Sequence, residues 1–331
     1  SRQVKPGYLF AALSGVNTDG ARFVADAVGR GAVAILTADK MDAGAPVVTV
    51  ADPRRTLALM AARFFDKQPE TTVAVTGTNG KTSVASFTRQ LWTDLGYASA
   101  SLGTVGVVSP RGTKVLRNTT PDPIELHRIL ADLSAESVSH LALEASSHGL
   151  QQRRLDGVAL KAAAFTNITR DHLDYHSSFE DYFAQKLRLF TELLPAGAAA
   201  VIDMDSPGSV EVADAARANG LEVFGVGRTG EHVRLVSAEI EGFAQRLTVE
   251  HSGKACTVLL PLVGAFQASN ALVAAGLVIA TGSSAYDVMP RLECMRGATG
   301  RLEIEGMAPR GAPILIDKAN KPDKLDKALE T

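Results

Sequence analysis

A chain of 331 residues, 46% hydrophobic and 21% charged, is long enough for two or more α/β domains, each with its own core. Its formal charge of −2, with both signs mixed along the sequence, excludes the basic face of a nucleic-acid binder or of a protein held on an anionic membrane, but allows a local phosphate pocket. No run of about 20 apolar residues and no amino-terminal signal pattern is present, and the two cysteines, Cys256 and Cys294, fit neither a metal spacing nor a disulfide framework. The cysteine usage predicts a protein of a reducing cytoplasm with both thiols buried as small apolar groups, and the chain is expected to be a monomer.

Residues 1–70 read as a first unit, with short strands at Val33–Leu36 and Val47–Val50, helices at Phe23–Arg30 and Arg54–Phe65, and an end marked by Lys67-Gln-Pro69. From Thr72 a strand runs into a glycine-bounded loop and a helical stretch. Further apolar strands follow at His140–Leu143, Ala162–Thr166 and Ala198–Ile202, separated by helical stretches. This alternation predicts an α/β fold whose mostly parallel sheet is covered on both faces. Apolar residues from Phe179 to Leu194 at three- and four-residue intervals predict a helix over Ser178–Leu194, with Ser178 as its N-cap. Between Val233 and Leu262 the pattern turns to period two, as in Arg246-Leu-Thr-Val-Glu250, and predicts a small antiparallel insertion; Ala268–Ala280 returns to helix. Residues 71–299 thus form a central domain. After the hinge-like Arg296–Arg301 stretch, a strand at Pro313–Asp317 and a helix at Lys321–Leu329 cannot bury their apolar faces alone, so residues 300–331 read as the start of a third domain. The chain opens on Ser1 and closes in mid-element, as a fragment of a longer protein would.

Chemistry concentrates at three strand ends. Val73–Thr76 leads into Gly77-Thr-Asn-Gly80-Lys81-Thr82-Ser83, a phosphate cradle. Gly77 and Gly80 let backbone N–H groups turn to phosphate, Lys81 supplies a point charge for the β/γ-phosphates, and Thr82 offers a hydroxyl to Mg²⁺ at a helix N-terminus. The common G-x-x-x-x-G-K-[ST] spacing would place its first glycine at Val75, so the loop is a shorter variant. Glu144 stands at the end of the next strand, ahead of Ala145-Ser146-Ser147-His148, as a direct or outer ligand of Mg²⁺. Arg170-Asp171-His172 and Asp174-Tyr-His176 follow the third strand; His172 suits a metal, Asp171 and Asp174 would orient it or pair with Arg170, and His176 reads as solvated.

Gly77-Thr-Asn-Gly-Lys-Thr82, Glu144-x-Ser-Ser-His-Gly-Leu150, Thr166-Asn-x-x-Arg-Asp-His-Leu-Asp-Tyr-His176 and Tyr182-x-x-x-Lys186 together resemble the Mur ligases, ATP-dependent amide-bond synthetases of peptidoglycan precursor assembly. The likeness is strongest to the MurE type and reaches the first unit, through Ser1-Arg-x-Val-x-Pro-Gly7 and Asp19-Gly20. It implies a UDP-binding site at Ser1, Val16, Asn17 and Thr18, with the muramoyl-dipeptide held by Asn118, Thr119, Thr120, Ser146, Gln152 and Arg154. It assigns ATP to Gly77, Thr78, Asn79, Gly80, Lys81, Thr82 and Ser83, with Asn270, Arg301 and Asp317 beside them, and Mg²⁺ to Thr82, Glu144, His172 and Lys186. Lys81, His172 and Lys186 would carry the catalysis.

By the same resemblance Lys186 is carbamylated, since an anionic oxygen ligand, and no ammonium, can sit beside Mg²⁺; the residues alone would make it a solvated helix lysine. Gln267 stands where the family commonly has Asn, and Lys318, Asn320 and Lys321 replace an aromatic residue, a His and a Thr. The implied reaction adds a diamino acid, meso-diaminopimelate or L-Lys, to UDP-MurNAc-L-Ala-D-Glu through an acyl phosphate. Folylpolyglutamate synthetase shares a similar loop but has no use for a uridine-binding unit. A P-loop kinase would leave Glu144, the His172 cluster and Lys186 idle, and a chain with only part of the third domain could serve as a binding module without turnover.

Overall fold

The computed structural model describes residues 3–15, 18–171, 175–308 and 313–318. The helix expected at Lys321–Leu329 lies outside them. Strands β1 (Leu9–Ala11), β2 (Ala34–Thr37) and β3 (Val47–Thr49) pair in parallel in that order, with helices α1 (Val24–Gly29) and α2 (Pro53–Phe65) in the same unit. Its core is small: Ala12, Val24, Ala27, Ala32 and Ile35. Helix α2 starts where the chemistry of its first turn dictates, because Asp52 accepts the Arg55 N–H at 2.9 Å and Pro53 lacks a donor that would otherwise be unpaired. Three residues are too few to show a period, and β1 was not anticipated.

From β4 (Thr71–Thr76) to β14 (Lys254–Leu260) the chain builds one eleven-stranded sheet. In chain order its elements are α3 (Lys81–Asp94), β5 (Ser99–Gly103), β6 (Gly106–Ser109), β7 (Gly112–Lys114), α4 (Pro123–Ala135), β8 (His140–Glu144), α5 (Ser147–Gln151), β9 (Ala162–Phe165), α6 (Phe179–Arg188), β10 (Ala199–Asp203), α7 (Ser209–Ala218), β11 (Glu222–Gly227), β12 (Val233–Glu241), β13 (Ala244–His251) and β14; helix α8 (Phe266–Ala280) follows. The middle, β11-β10-β9-β4-β8-β5, is parallel throughout. Antiparallel strands close both edges, β12–β14 on one side, as the period-two pattern predicts, and β6–β7 on the other.

Alternation along β4 shows why its sequence is continuously apolar. Val73 and Val75 enter a core shared with Phe87, Leu91 and Trp92 of α3 and Leu272 of α8, while Ala74 enters the opposite one, shared with Leu126 and Leu130 of α4. Both faces are covered by helices, so each side chain from Thr72 to Thr76 is buried. Because β8 and β9 flank β4 on opposite sides, the loops after these strands diverge and leave a crevice at their carboxyl ends.

The predicted Ser178–Leu194 helix divides in two. Ser178 does cap α6, accepting the Asp181 N–H at 3.2 Å, but after Arg188 the backbone widens into a π-helical turn over Leu189–Leu193. The cysteines are a correction: both are exposed, because Cys256 sits on β14 at the sheet's edge and Cys294 ends the 3₁₀ turn Met289–Cys294. Strands β15 (Glu303–Met307) and β16 (Pro313–Ile316) form a separate antiparallel pair after the main sheet.

Candidate active site

A cavity of about 730 Å³ opens over the carboxyl ends of β4, β8, β9 and β10. Gly77 at φ +146° and Gly80 at φ +86° shape the loop below it, and Gly80 is the N-cap of α3, so the helix presents its N-terminal N–H groups to the cavity. The loop is laced to the segment after β9. Thr78 N donates to Asn167 O at 2.8 Å, Asn79 N to Asn167 Oδ1 at 3.0 Å, and Thr166 Oγ1 to Asn79 O at 2.6 Å. Val75, where the longer loop would have its first glycine, is fully buried in β4.

Two ammonium groups converge on one carbonyl. Lys81 Nζ donates to Gly77 O and Thr78 O, both at 2.8 Å, and Lys186 Nζ donates to Gly77 O at 2.7 Å. Lys186 is 1% exposed and lies 4.5 Å from the centre of the Tyr182 ring, which corrects its reading as a solvated helix lysine. Burial, reinforced by the charge of Lys81, holds its ammonium well below the usual lysine range and favours the free amine. The Tyr182 hydroxyl, 3.0 Å from Thr78 Oγ1, is pushed up to about 12 by the same burial and stays protonated.

Glu144 ends β8 at 2% exposure, its carboxylate accepting from Thr104 N at 2.7 Å and Thr104 Oγ1 at 3.1 Å. A Cβ at Gly103 would lie 2.0 Å from Glu144 Oε1, so only glycine at that position leaves room for this carboxylate. Glu144 and Thr82 line the same cavity with Asp171 and Lys186. Among the described residues no three His, Cys, Asp or Glu side chains converge as a metal cage. A hydroxyl at a helix start and a buried carboxylate beside a phosphate loop fit Mg²⁺, which keeps several waters and takes its remaining oxygens from nucleotide phosphates. His172 lies outside the described residues, as do Ser1, Val16 and Asn17. His176, expected to be solvated, is buried at 3% exposure with Nε2 3.0 Å from Ser147 Oγ.

On the cavity's other flank Asn118, Thr119, Thr120, Ser146 and Arg154 line the wall. Thr120 Oγ1 donates to Glu144 O at 2.8 Å and lies 3.0 Å from Ser146 Oγ, so this flank is fastened to the strand that carries the carboxylate. Gln152 stands behind it, receiving Arg154 Nη2 at 2.8 Å and donating to the Tyr175 hydroxyl at 2.9 Å. Thr18 is exposed and lines no part of the cavity. Asn270, Arg301 and Asp317 do line it. Gln267 links the first two: its Oε1 accepts from Asn270 Nδ2 at 2.9 Å and its Nε2 reaches Arg301 O at 3.4 Å.

Sequence reasoning missed Thr104, Asp203, Asp205, Ser206 and Ser269, all in the cavity wall. Asp203 ends β10 and accepts from Ser206 Oγ at 2.8 Å, Asp205 N at 3.2 Å and Ser269 Oγ; burial holds its carboxyl above the usual range. The rule that drew attention to Glu144, a polar group at the end of a buried strand, applies equally to Asp203 after Ala198–Ile202.

Residues 75–278 match the Mur ligase middle domain, and residues 1–65 match the domain described as Mur ligase family, catalytic domain. A UDP-N-acetylmuramoyl-L-alanyl-D-glutamate--2,6-diaminopimelate ligase of Bradyrhizobium diazoefficiens is 57% identical over all of this chain and 69% of its own length. The chain belongs to the Mur ligase family. A solved structure of a ligase of the same name superposes with a TM-score of 0.87 at 26% identity, covering all of this chain and 68% of the other. A Thermotoga maritima MurF ligase solved with ADP shares the fold at a TM-score of 0.64 and 17% identity, covering 99% of this chain and 72% of the other. Within this Mur ligase the described cavity wall runs from Thr78 to Asp317, and all of its lining residues except Arg301 and Asp317 fall in the stretch matched to the middle domain.

Proposed function

We propose that this Mur ligase joins 2,6-diaminopimelate to UDP-MurNAc-L-Ala-D-Glu at the expense of ATP, with residues 1–70 as the UDP-sugar unit, 71–299 as the ATP-binding domain and 300–331 as the start of the ligase's last domain. The 57% identity to a ligase of that name supports the substrate, and the juxtaposition of Lys81, Thr82, Glu144 and Lys186 in one cavity carries the chemistry. The D-Glu γ-carboxylate attacks the γ-phosphorus and ADP departs; the amine of the diamino acid then attacks the acyl carbon and phosphate leaves. Lys81, held on Gly77 O and Thr78 O, turns to the β/γ-phosphates, and the start of α3 faces the charge that accumulates on them. Arg154, Asn118, Thr119 and Thr120 hold the dipeptide in line with the phosphate.

Thr82 and Glu144 are the described residues that would hold Mg²⁺, which when bound would offset the negative charge of the nucleotide phosphates. The free amine favoured at Lys186 is the form that combines with CO₂: an N–C bond forms, a proton leaves to solvent, and an anionic carbamate replaces the neutral amine. Asn270, Arg301 and Asp317 close the nucleotide side.

Calorimetric titration with UDP-MurNAc-L-Ala-D-Glu, using UDP alone and a folate as controls, tests the substrate. Tight, dipeptide-dependent binding is expected, and a preference for the folate would overturn the reading. Lys81→Ala should reduce ADP formation by roughly 10²-fold or more while leaving UDP-sugar binding intact.

A further inference from the structure

The turn after α5 faces two ways. Arg154 lines the main cavity, donating to Thr120 O and Gln152 Oε1, while Arg153 directs its guanidinium into a second cavity of about 410 Å³ beside Arg55, Leu59, Asp156 and Glu192. The reversal is made by the backbone, because Arg153 holds φ +59°, a conformation that side chains rarely adopt. Its guanidinium meets carboxylates on three elements. Nε lies 3.1 Å from Asp52, the N-cap of α2; Nη1 pairs with Glu192 in the π-helical turn that follows α6, and lies 3.7 Å from Asp156 in its own turn. Asp156, 4% exposed, also receives Arg188 at 3.4 Å and Arg55 at 3.6 Å, and Arg188 pairs with Glu192 at 3.0 Å. No step of phosphoryl or acyl transfer uses this network. It nevertheless spans the first unit, the turn that bears Gln152 and Arg154, and the helix that bears Lys186.

We propose that Arg153 is a positioning residue for the ligase reaction: its fork on Asp52 and Glu192 holds the backbone reversal that aims Arg154 into the cavity with Gln152 behind it. A single ion pair at the surface would do little, but a three-quarters-buried guanidinium shared among three carboxylates fixes a direction as well as a distance. A small rotation of the turn moves the Arg154 guanidinium by about 1 Å, enough to lose up to about 10²-fold in a positioned site. The inference rests on the reading of Arg154 and Gln152 as holders of the muramoyl-dipeptide.

The test titrates wild type, Arg153→Ala, Arg153→Gly and Arg153→Lys with UDP-MurNAc-L-Ala-D-Glu and, separately, with a non-hydrolysable ATP analogue. Arg153→Ala should weaken the dipeptide nucleotide roughly tenfold and leave the ATP analogue within about twofold. Arg153→Gly should fare no better than Arg153→Ala, since relieving the backbone does not restore the fork, and Arg153→Lys should recover part of the loss. In an Arg154→Ala background, Arg153→Ala should cost nothing further. Unchanged dipeptide affinity, equal loss of both ligands, full recovery by glycine, or additivity with Arg154→Ala would each overturn the inference. A wild-type chain that binds the ATP analogue and not the dipeptide nucleotide would overturn the functional reading itself, and this inference with it.

Discussion

Replacing Gly77 with alanine puts one methyl group where the structure has no space for it. A Cβ at this position would lie 1.9 Å from Thr166 Oγ1 and 3.1 Å from both the N and the O of Asn167, on a backbone at φ +146°. The conformation alone costs a side-chain-bearing residue about 1–2 kcal/mol. Thr166, 2% exposed, must also move, and its hydroxyl then loses Asn79 O; a buried donor left without its acceptor costs a further 1–3 kcal/mol or so. A total near 3 kcal/mol lowers the melting temperature of a domain this size by about 6–12 °C. Gly242→Ala is the control, with φ +62° and nothing within 4 Å of the added carbon, so it should cost only the backbone portion, about 2–8 °C. Differential scanning calorimetry of both variants, paired with titration of a non-hydrolysable ATP analogue, separates the effects: Gly77→Ala should also weaken nucleotide binding, because Thr78 N and Asn79 N are held by the residues it displaces. Equal melting temperatures for the two variants, or wild-type nucleotide affinity in Gly77→Ala, would refute the reasoning.

The buried amine of Lys186 makes stability depend on pH. Its folded pKa is depressed, so between that value and 10.5 the unfolded chain binds more protons and stability rises with pH; in CO₂-free buffer Lys186→Met should flatten this slope in melting curves from pH 7 to 9.5, and a parallel slope would count against it. Asp203 runs the opposite way: its raised pKa means that stability present below 3.8 is lost as pH rises through the folded value. Asp203→Asn should therefore melt above wild type at pH 7 and level with it near pH 3.5; a variant less stable at pH 7 than at pH 3.5, relative to wild type, argues against a desolvation cost. Glu144→Gln keeps an acceptor for Thr104 N but removes the charge, so the enhancement of ATP-analogue binding by Mg²⁺ should fall roughly tenfold, measured by titration with and without the metal. An undiminished Mg²⁺ effect would remove Glu144 from the metal site.

Much of the site was legible because its chemistry is local. Gly77 to Thr82 must be contiguous to cradle a phosphate, and Glu144 and the Thr166–Asp171 stretch announce themselves as polar residues at the ends of buried strands. Period also sufficed for β4, β8, β9 and β10 and for the β12–β14 edge, but it gave no sign of β5, β6 or β11, each of which contains a glycine. It failed for β1 and β7, three residues each, and it carried one apolar stripe through Arg188 into the π-helical turn, where the backbone changes while the spacing does not.

Whether a residue is buried depends on what packs over it, and here the sequence could not decide. Lys186 has the pattern of an ordinary helix lysine; it loses its water only because α6 lies against the loop after β4, which places Nζ on Gly77 O beside Lys81. Cys256 has the composition of a core residue and is exposed because its strand ends the sheet. Arg153 and Arg154 are adjacent and identical in kind, yet a left-handed backbone sends Arg154 to the main cavity and Arg153 to Asp52 and Glu192. By itself the sequence determined the phosphate loop and the strands β4, β8, β9 and β10 around it, since these follow from short-range spacing; burial, charge state and side-chain direction were decided by tertiary contacts between residues often a hundred or more positions apart, as in the 109 that separate Lys186 from Gly77.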